Sequence, residues 1–202
     1  SYLLLSILMV VSSCEAYSPE YDSISVFRGA SLDRESTLAI VTVKEDEAGL
    51  YLQYDDQHTA EILNPTLLDF QGEPRCMTSL RNAHADSEIQ RDMLVYLDWI
   101  EPIPLGDVVS SESYSVSSDT APVDILTSSW MTVAEDGYLT LRYAVMAGGE
   151  QEHSFTLVKG VNPDYPFELR LVHRNGSDPG TYLQEGLVAF RLDFLPDTKR
   201  KS

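Results

Sequence analysis

Residues Asp136–Val145, which read Asp-Gly-Tyr-Leu-Thr-Leu-Arg-Tyr-Ala-Val, decide the fold class of this chain. The apolar side chains Leu139, Leu141, Tyr143 and Val145 occupy every second position of the stretch. Because successive side chains of a β-strand point to opposite faces, this spacing predicts a strand with one face in a hydrophobic core. The same two-residue period recurs along most of the chain, and we therefore predict an all-β protein.

The second half of the chain contains further strand and turn patterns of this kind. A second alternating strand covers residues 188–194, and Gly148-Gly149 is a tight-turn sequence. We expect the first strand to return through that turn into a strand that begins near Phe155. Several short strands separated by turns predict a small β-sandwich or barrel, which we assign to residues 109–202.

The first half begins with an apolar run of a different type. Positions 38–43 are apolar or threonine on both alternating faces, which predicts a strand buried on both sides. The acidic turn at 45–49 and the apolar residues 50–54 complete a predicted hairpin. We assign residues 28–108 to a first β domain, and the serine-rich stretch 110–118 marks the predicted domain junction.

The N-terminal residues carry an export pattern. Tyr2–Val11 is almost entirely apolar, but about ten residues are too few to cross a bilayer as a helix. The tetrad Val11–Cys14 resembles the lipobox of bacterial lipoproteins, in which an aliphatic residue and two small residues precede a lipidated cysteine. We predict that residues 1–13 are a lipoprotein signal peptide, that Cys14 carries the lipid, and that residues 14–27 form a polar tether. The predicted location is the outer membrane, facing the periplasm or the surface.

The charge of the chain excludes one class of partner. Its 32 acidic and 14 basic residues give a net charge of −18. Nucleic-acid binding depends on lysine and arginine side chains that displace counterions from phosphates, so we predict no nucleic-acid partner. The same acidity opposes adsorption of the protein body to an anionic membrane, which leaves the lipid as the predicted membrane contact.

The residues that most often perform catalysis or bind metals show none of the usual spacings. The four histidines, His58, His84, His153 and His173, lack a metal-ligand spacing, and no Gly-x-Ser-x-Gly elbow is present. Cys76 has no base nearby and is predicted to be a small buried hydrophobic residue. We therefore predict no catalytic residue, no metal and no cofactor.

Three alternatives remain open at this level. A carboxylate pair could serve an envelope polysaccharide hydrolase, and the acidic groups Asp55-Asp56 and Glu45–Glu47 could serve a calcium-dependent binding protein. An aromatic platform for sugar or peptide is the third alternative, and Trp130 is interpreted as an inter-domain or core anchor. The platform candidates are Tyr51, Tyr54, Tyr96 and Trp99. The sequence assigns no ligand-binding residue beyond these candidates.

Taken together, these features resemble the NigD-like lipoproteins of Bacteroidetes. The resemblance is carried by the lipobox, by Trp130-Met131, by the Asp-Gly-Tyr-Leu-Thr-Leu opening at 136–141, by His153-Ser154-Phe155 and by residues 171–175. It implies an N-terminal OB-type β-barrel followed by a C-terminal β-sandwich, and it transfers no catalytic residue. The predicted function is a non-enzymatic, lipid-anchored binding or scaffolding module for an envelope protein or glycan. The family name points to a bacteriocin-associated gene region, which assigns no bacteriocin role to this chain.

Overall fold

The computed structural model describes residues 31–68, 72–85, 88–149 and 151–196. In these ranges the regular structure is β-strand, apart from a 3-10 turn at Pro65–Leu67. None of the helical structure in these ranges is long and apolar enough to span a membrane. The predicted signal peptide, the lipidation site Cys14 and the whole tether at 14–27 lie outside the described residues and stay predictions.

The first lobe, which we call the barrel lobe, is a closed β-barrel with one added strand. Its strands are β1 (Ser31–Leu32), β2 (Thr37–Asp46), β3 (Gly49–Gln53), β4 (Thr59–Ile62), β5 (Arg75–His84) and β6 (Met93–Pro102). The order around the barrel is β5-β2-β3-β4-β6, and the pairing of β6 with β5 closes it. β4 and β6 are parallel, and the other barrel neighbours are antiparallel.

Strand β2 is buried on both faces, as its sequence predicted. Its odd-numbered residues Ala39, Val41 and Val43 fill the barrel core, together with Leu52 and Leu97. On the opposite face, Ile40 and Thr42 lie beneath the second lobe, and each is buried. The apolar run at 38–43 therefore has two hydrophobic partners, which explains why it does not alternate.

Cys76 is fully buried in the barrel core. Burial raises the pKa of its thiol to about 12, so the thiolate nucleophile is suppressed. The prediction of a small buried hydrophobic side chain is confirmed.

The second lobe, which we call the sandwich lobe, has two sheets. Its strands are β7 (Asp107–Ser110), β8 (Asp124–Ile125), β9 (Val133–Glu135), β10 (Tyr138–Ala147), β11 (Ser154–Lys159), β12 (Arg170–Arg174) and β13 (Tyr182–Arg191). One sheet has the order β13-β10-β8 with β9 also paired to β10, and the other has the order β12-β11-β7. The predicted all-β architecture, a barrel followed by a sandwich, is confirmed.

Two details of the sandwich differ from the expected strand connections. The turn at Gly148-Gly149 does not return β10 into β11, because β10 pairs with β13 over ten residues and β11 lies in the other sheet. The hairpin prediction was wrong, since the chain crosses between the sheets at this point to cover the core. In addition, β7 spans residue 108, where we divided the chain, and it pairs in parallel with β11.

The core between the two sheets contains Leu141, Val145, Phe155, Leu157 and Phe190. Gly106 enters this lobe against Phe190, where a Cβ atom at position 106 would lie 2.2 Å from Phe190 Cε1 and 2.8 Å from the Phe155 carbonyl oxygen. A side chain at position 106 would therefore collide with both sheets, so the close approach of β7 to the core requires glycine.

A third apolar cluster joins the two lobes. Ile40 and Ile103 contribute from the barrel side, and Tyr138 and Ala189 contribute from the sandwich side. Ala189 and Ile103 are buried, and the Gly106 N–H and the Pro104 carbonyl both bond to Ala189, so the linker after β6 is held to β13. The two lobes therefore share a continuous hydrophobic contact.

Candidate functional site

An open groove lies between the barrel lobe and the sandwich lobe. It has a volume of about 320 Å³ and is lined by Thr37, Leu38, Ala39, Ile40, Tyr54, Asp55, Trp130, Val133 and Glu135. Trp130 is 54% exposed and Leu38 is 46% exposed, although both are large apolar side chains. Concave sites at domain interfaces with apolar walls and few polar groups are the usual form of a ligand site. We refer to this site as the inter-lobe groove.

A turn in the barrel lobe opens one wall of the groove. Asp55 Oδ1 accepts hydrogen bonds from the backbone N–H groups of Gln57 (2.7 Å) and His58 (2.8 Å), which bends the chain away after β3. The His58 ring, 2.8 Å from Asp55 Oδ2, and these N–H groups lower the pKa of Asp55 to about 2. Asp55 is therefore ionised at the mouth of the groove.

A turn of the sandwich lobe directly follows the groove-lining residue Glu135. Asp136 and Gly137 have positive φ angles of 48° and 75°, and they form the two-residue turn between β9 and β10. This is the type I′ geometry that favours Asp-Gly in hairpins. Asp136 Oδ1 lies 2.6 Å from Lys44 Nζ, and the Tyr138 hydroxyl donates to the Glu73 carbonyl oxygen at 3.1 Å. The turn therefore clasps the barrel lobe, and we call it the clasp turn.

A buried arginine supports the same junction. The Arg75 side chain is fully buried; its guanidinium donates to Thr42 Oγ1 at 3.2 Å and lies 3.5 Å from Glu135 Oε2. Burial lowers the pKa of Arg75, whereas the carboxylates of Glu135 and Asp136 raise it. The arginine stays charged because its ordinary pKa is above 12. It holds Glu135 in the wall of the groove.

The sequence of the sandwich lobe matches a known family. Residues 106–202 match the NigD-like C-terminal beta sandwich domain. The second lobe of the chain belongs to this family. The resemblance drawn from the sequence motifs is thereby confirmed, and the clasp turn gives a structural role to its Asp-Gly-Tyr-Leu-Thr-Leu segment, which begins the hairpin of this NigD-like domain.

Solved structures share the fold over both lobes. A candidate toxin-related protein from Parabacteroides distasonis is 24% identical, with a TM-score of 0.58 and coverage of 82% of each chain. A NigD-like immunity protein from Bacteroides caccae is 16% identical, with a TM-score of 0.57 and coverage of 83% of this chain and 82% of that one. A candidate lipoprotein from Bacteroides fragilis is 14% identical, with a TM-score of 0.54 and coverage of 79% of each chain. No curated protein matches the chain.

Two of the four histidines meet in the NigD-like sandwich. His153 Nδ1 lies 3.0 Å from His173 Nε2, His173 Nδ1 lies 3.1 Å from the Pro122 carbonyl oxygen, and His153 Nε2 lies 3.3 Å from Asp178 Oδ2. The Pro122 carbonyl contact assigns one proton to His173 Nδ1, and the Asp178 carboxylate assigns one to His153 Nε2. The contact between the two rings is a hydrogen bond when one further proton lies between His153 Nδ1 and His173 Nε2. These side chains satisfy one another in a chain of hydrogen bonds. Among the described residues no group of three or more His, Cys, Asp or Glu side chains is arranged to hold a metal ion.

This histidine chain predicts a loss of stability in acid. Burial is the main cause that lowers the pKa of His173. A histidine with a lowered native pKa contributes stability that is complete above its unfolded pKa of about 6.5 and is lost as pH falls below that value. The pKa of Asp178 is lowered mainly by the Gly180 N–H, and its contribution is lost below about pH 4.

We expect His173→Phe to flatten the acid limb between pH 6.5 and 5 while lowering stability at pH 7, because the donor to Pro122 is lost. Urea unfolding measured from pH 8 to pH 4 checks this result. The control is the same substitution at the exposed His84, since His84→Phe should change stability at pH 7 by less than about 0.5 kcal/mol. A His173→Phe profile parallel to that of the wild type would contradict the assignment.

The predicted aromatic platform is dispersed in the structure. Tyr54 lines the inter-lobe groove, and burial raises the pKa of its hydroxyl to about 12. Tyr51 lies elsewhere on the barrel, beneath Arg91. Tyr96 packs beneath Arg81, and Trp99 is partly exposed. The four side chains do not form one surface.

Trp130 is a candidate site residue whose position the sequence predicted only in part. It lies between the lobes, as predicted, but more than half of its side chain is exposed, and its neighbour Met131 packs in the inter-lobe cluster instead. Trp130 therefore contributes exposed surface to the groove, whereas Met131 contributes to the core between the lobes. In the sequence, Trp130 stands next to Met131 in an apolar stretch. That local pattern predicts an anchor and does not show which of the two side chains is exposed.

A second concave surface lies on the barrel lobe, and two of its own side chains, Arg91 and Tyr51, contact each other there. It has a volume of about 480 Å³ and is lined by Tyr51, Glu45, Glu61 and Arg91 among others. The Arg91 guanidinium stacks 3.8 Å from the centre of the Tyr51 ring and contacts the Asp46 carboxylate. Because its cation and its aromatic face bind each other, the inter-lobe groove is the better candidate site.

The acidic groups proposed for calcium are likewise engaged. Asp55 caps its own turn, and Asp46 contacts Arg91 and accepts from the Ala48 N–H at 2.9 Å. Among the described carboxyl groups, every resolved pKa shift is downward. A glycosidase general acid requires the opposite shift.

Proposed function

We propose that this protein is a non-enzymatic binding module of the cell envelope, anchored by lipid at Cys14, whose inter-lobe groove binds another envelope component. The observation that carries the proposal is the exposure of Trp130 and Leu38 on facing elements of a groove whose wall residue Glu135 is held by the buried Arg75. Exposed aromatic residues in preformed clefts are the usual centres of binding energy. The lipobox-like tetrad Val11–Cys14 supports an envelope location.

The hydrolase alternative has less support. Asp55 and Glu135 both line the groove, but Asp55 has a lowered pKa and Glu135 is paired with Arg75. The pKa of Asp55 is shifted in the direction opposite to the one that a proton donor needs, and the Glu135 carboxylate is occupied by the Arg75 guanidinium. The name of the immunity protein from Bacteroides caccae is not extended to this chain, because 16% identity carries the fold alone.

Site-specific photocrosslinking tests the groove. With p-benzoylphenylalanine in place of Trp130, we expect at least about five-fold more crosslinked product in intact cells than with the same group in place of Tyr165. Tyr165 is a matched control because it is an exposed aromatic residue of the same lobe that does not line the groove. Adding Leu38→Arg should abolish the product at position 130. Equal yields at the two positions would contradict the proposal.

The lipid anchor requires a separate measurement. We expect an alkyne-labelled fatty acid to be incorporated into the wild type and not into Cys14→Ser, and we expect only the wild type to sediment with membranes. Incorporation that is unaffected by Cys14→Ser would overturn the anchor while leaving the groove untouched.

A further inference from the structure

One border of the inter-lobe groove is a strand edge that pairs with no strand of the described residues. Over residues 37–42, β2 pairs with β5 on one side, but β3 reaches only residue 42 on the other side. The Val43 N–H bonds to the Pro74 carbonyl oxygen, so the odd-numbered residues of β2 direct their backbone groups towards β5. By alternation, the N–H and C=O groups of Leu38 and Ile40 point towards the groove.

The turn at Asp55 is the reason that this edge is open. Had β3 continued in register beyond Gln53, it would have paired with β2 from residue 41 back towards residue 37. Instead, Asp55 caps the N–H groups of Gln57 and His58 and turns the chain into β4. A further strand of the barrel sheet, paired with β2, would therefore lie in the groove.

The residues around this strand position indicate which side chains of an added strand would fit there. Leu38 and Ile40 on β2 and Trp130 across the groove provide apolar contacts. Among the described residues, the charged groups that line it are the carboxylates of Asp55 and Glu135, and neither a lysine nor an arginine is among the lining side chains. The protein as a whole carries a net charge of −18, which attracts cationic partners.

We infer that the inter-lobe groove binds an extended, basic and apolar peptide segment of a partner protein, which adds as a strand to the open edge of β2. Strand addition uses backbone hydrogen bonds for affinity and side-chain pockets for selectivity. The N–H and C=O groups of Leu38 and Ile40 supply four hydrogen-bonding positions, enough for a segment of about five residues. This inference rests on the proposed function of the groove and specifies the chemistry of its partner.

The test uses a fluorescein-labelled, end-capped nonapeptide of alternating lysine and valine, with fluorescence polarisation as the readout. We expect saturable binding that weakens at least ten-fold when glutamate replaces the lysines and at least ten-fold when every peptide nitrogen is methylated. Tyr165→Ala should bind like the wild type, and Trp130→Ala should bind at least ten-fold more weakly. Peptide binding that is absent from the wild type overturns the inference.

A proline substitution separates strand addition from simple groove binding. The N–H of Leu38 is outside the β5 ladder, so Leu38→Pro removes an edge donor without removing a ladder bond. We expect Leu38→Pro, with an unchanged thermal midpoint, to bind at least ten-fold more weakly than Leu38→Ala, which also removes the apolar side chain but keeps the N–H. Hydrogen exchange on the wild type gives an independent readout, because peptide should slow the amides of Leu38 and Ile40 at least ten-fold and leave those of Ala39 and Val41 unchanged.

The failures of the two proposals are distinguishable. If Trp130→Ala weakens binding while methylation, Leu38→Pro and the amides of Leu38 and Ile40 show no effect, strand addition is overturned and the groove remains a binding site. If Trp130→Ala binds the peptide like the wild type, and the crosslinker at position 130 gives no more product than the one at position 165, the proposed function is overturned together with the inference.

Discussion

Phe190→Ala is expected to lower the free energy of unfolding by about 3–5 kcal/mol, the largest single effect that this structure predicts. Phe190 is fully buried on β13, between the two sheets of the sandwich lobe. Truncation to alanine removes the ring from a close-packed core and leaves a cavity that the surrounding strands fill only in part. Native domains are stable by about 5–15 kcal/mol, so the variant loses a large part of its margin.

Urea unfolding at pH 7 and calorimetry measure this effect. Phe167→Ala is the matched control, since Phe167 has the same side chain, lies in the same lobe and is 52% exposed. Its expected cost is below about 0.5 kcal/mol. Equal costs for the two variants would show that the sandwich core is not centred on Phe190.

Asp136→Asn is expected to lower the free energy of unfolding by about 1.5–3 kcal/mol. Asp136 bonds to Lys44 at 2.6 Å across the two lobes, and the two side chains are only 11% and 24% exposed. The substitution removes the negative charge opposite a partly buried ammonium group. Asparagine also tolerates the positive φ of 48° at this position, so the clasp turn itself is retained.

A double-mutant cycle with Lys44→Met isolates this ion pair from other effects of each change. The control is Glu185→Gln, which breaks an ion pair with Arg142 whose side chains are 38% and 44% exposed. Exposed pairs contribute at most about 1 kcal/mol, so the control should cost clearly less. A coupling energy between positions 44 and 136 near zero would show that the clasp turn does not hold the lobes together.

The clasp turn and the inter-lobe groove have a common physical origin. Glu135 and Asp136 are neighbours in the chain, and they contact Arg75 and Lys44 of the barrel lobe. These contacts fix β9 beside β2 without pairing the two strands, which leaves the groove between them. A partner that binds in the groove would therefore meet a preformed site, and preformed sites bind at a lower entropic cost.

Local patterns in the sequence determined much of the fold. The alternation at 139–145 and 188–194 predicted strands, and the doubly apolar run at 38–43 predicted a strand with two covered faces. All three strands are present, although β13 ends at Arg191 and leaves residues 192–194 outside it. The buried character of Cys76 was also predicted. These features depend on the backbone preferences of neighbouring residues and on burial, both of which are encoded over a few positions.

Only the tertiary structure decided which strands became partners and where the site lies. The sequence favoured a hairpin at Gly148-Gly149, but β10 pairs with β13, some forty residues further along the chain. The groove joins Leu38 and Asp55 to Trp130 and Glu135, and the histidine chain joins His153 to His173 and Asp178. Such contacts depend on how two sheets and two lobes pack, and hydrophobic packing is not directional, so no local pattern of residues encodes them.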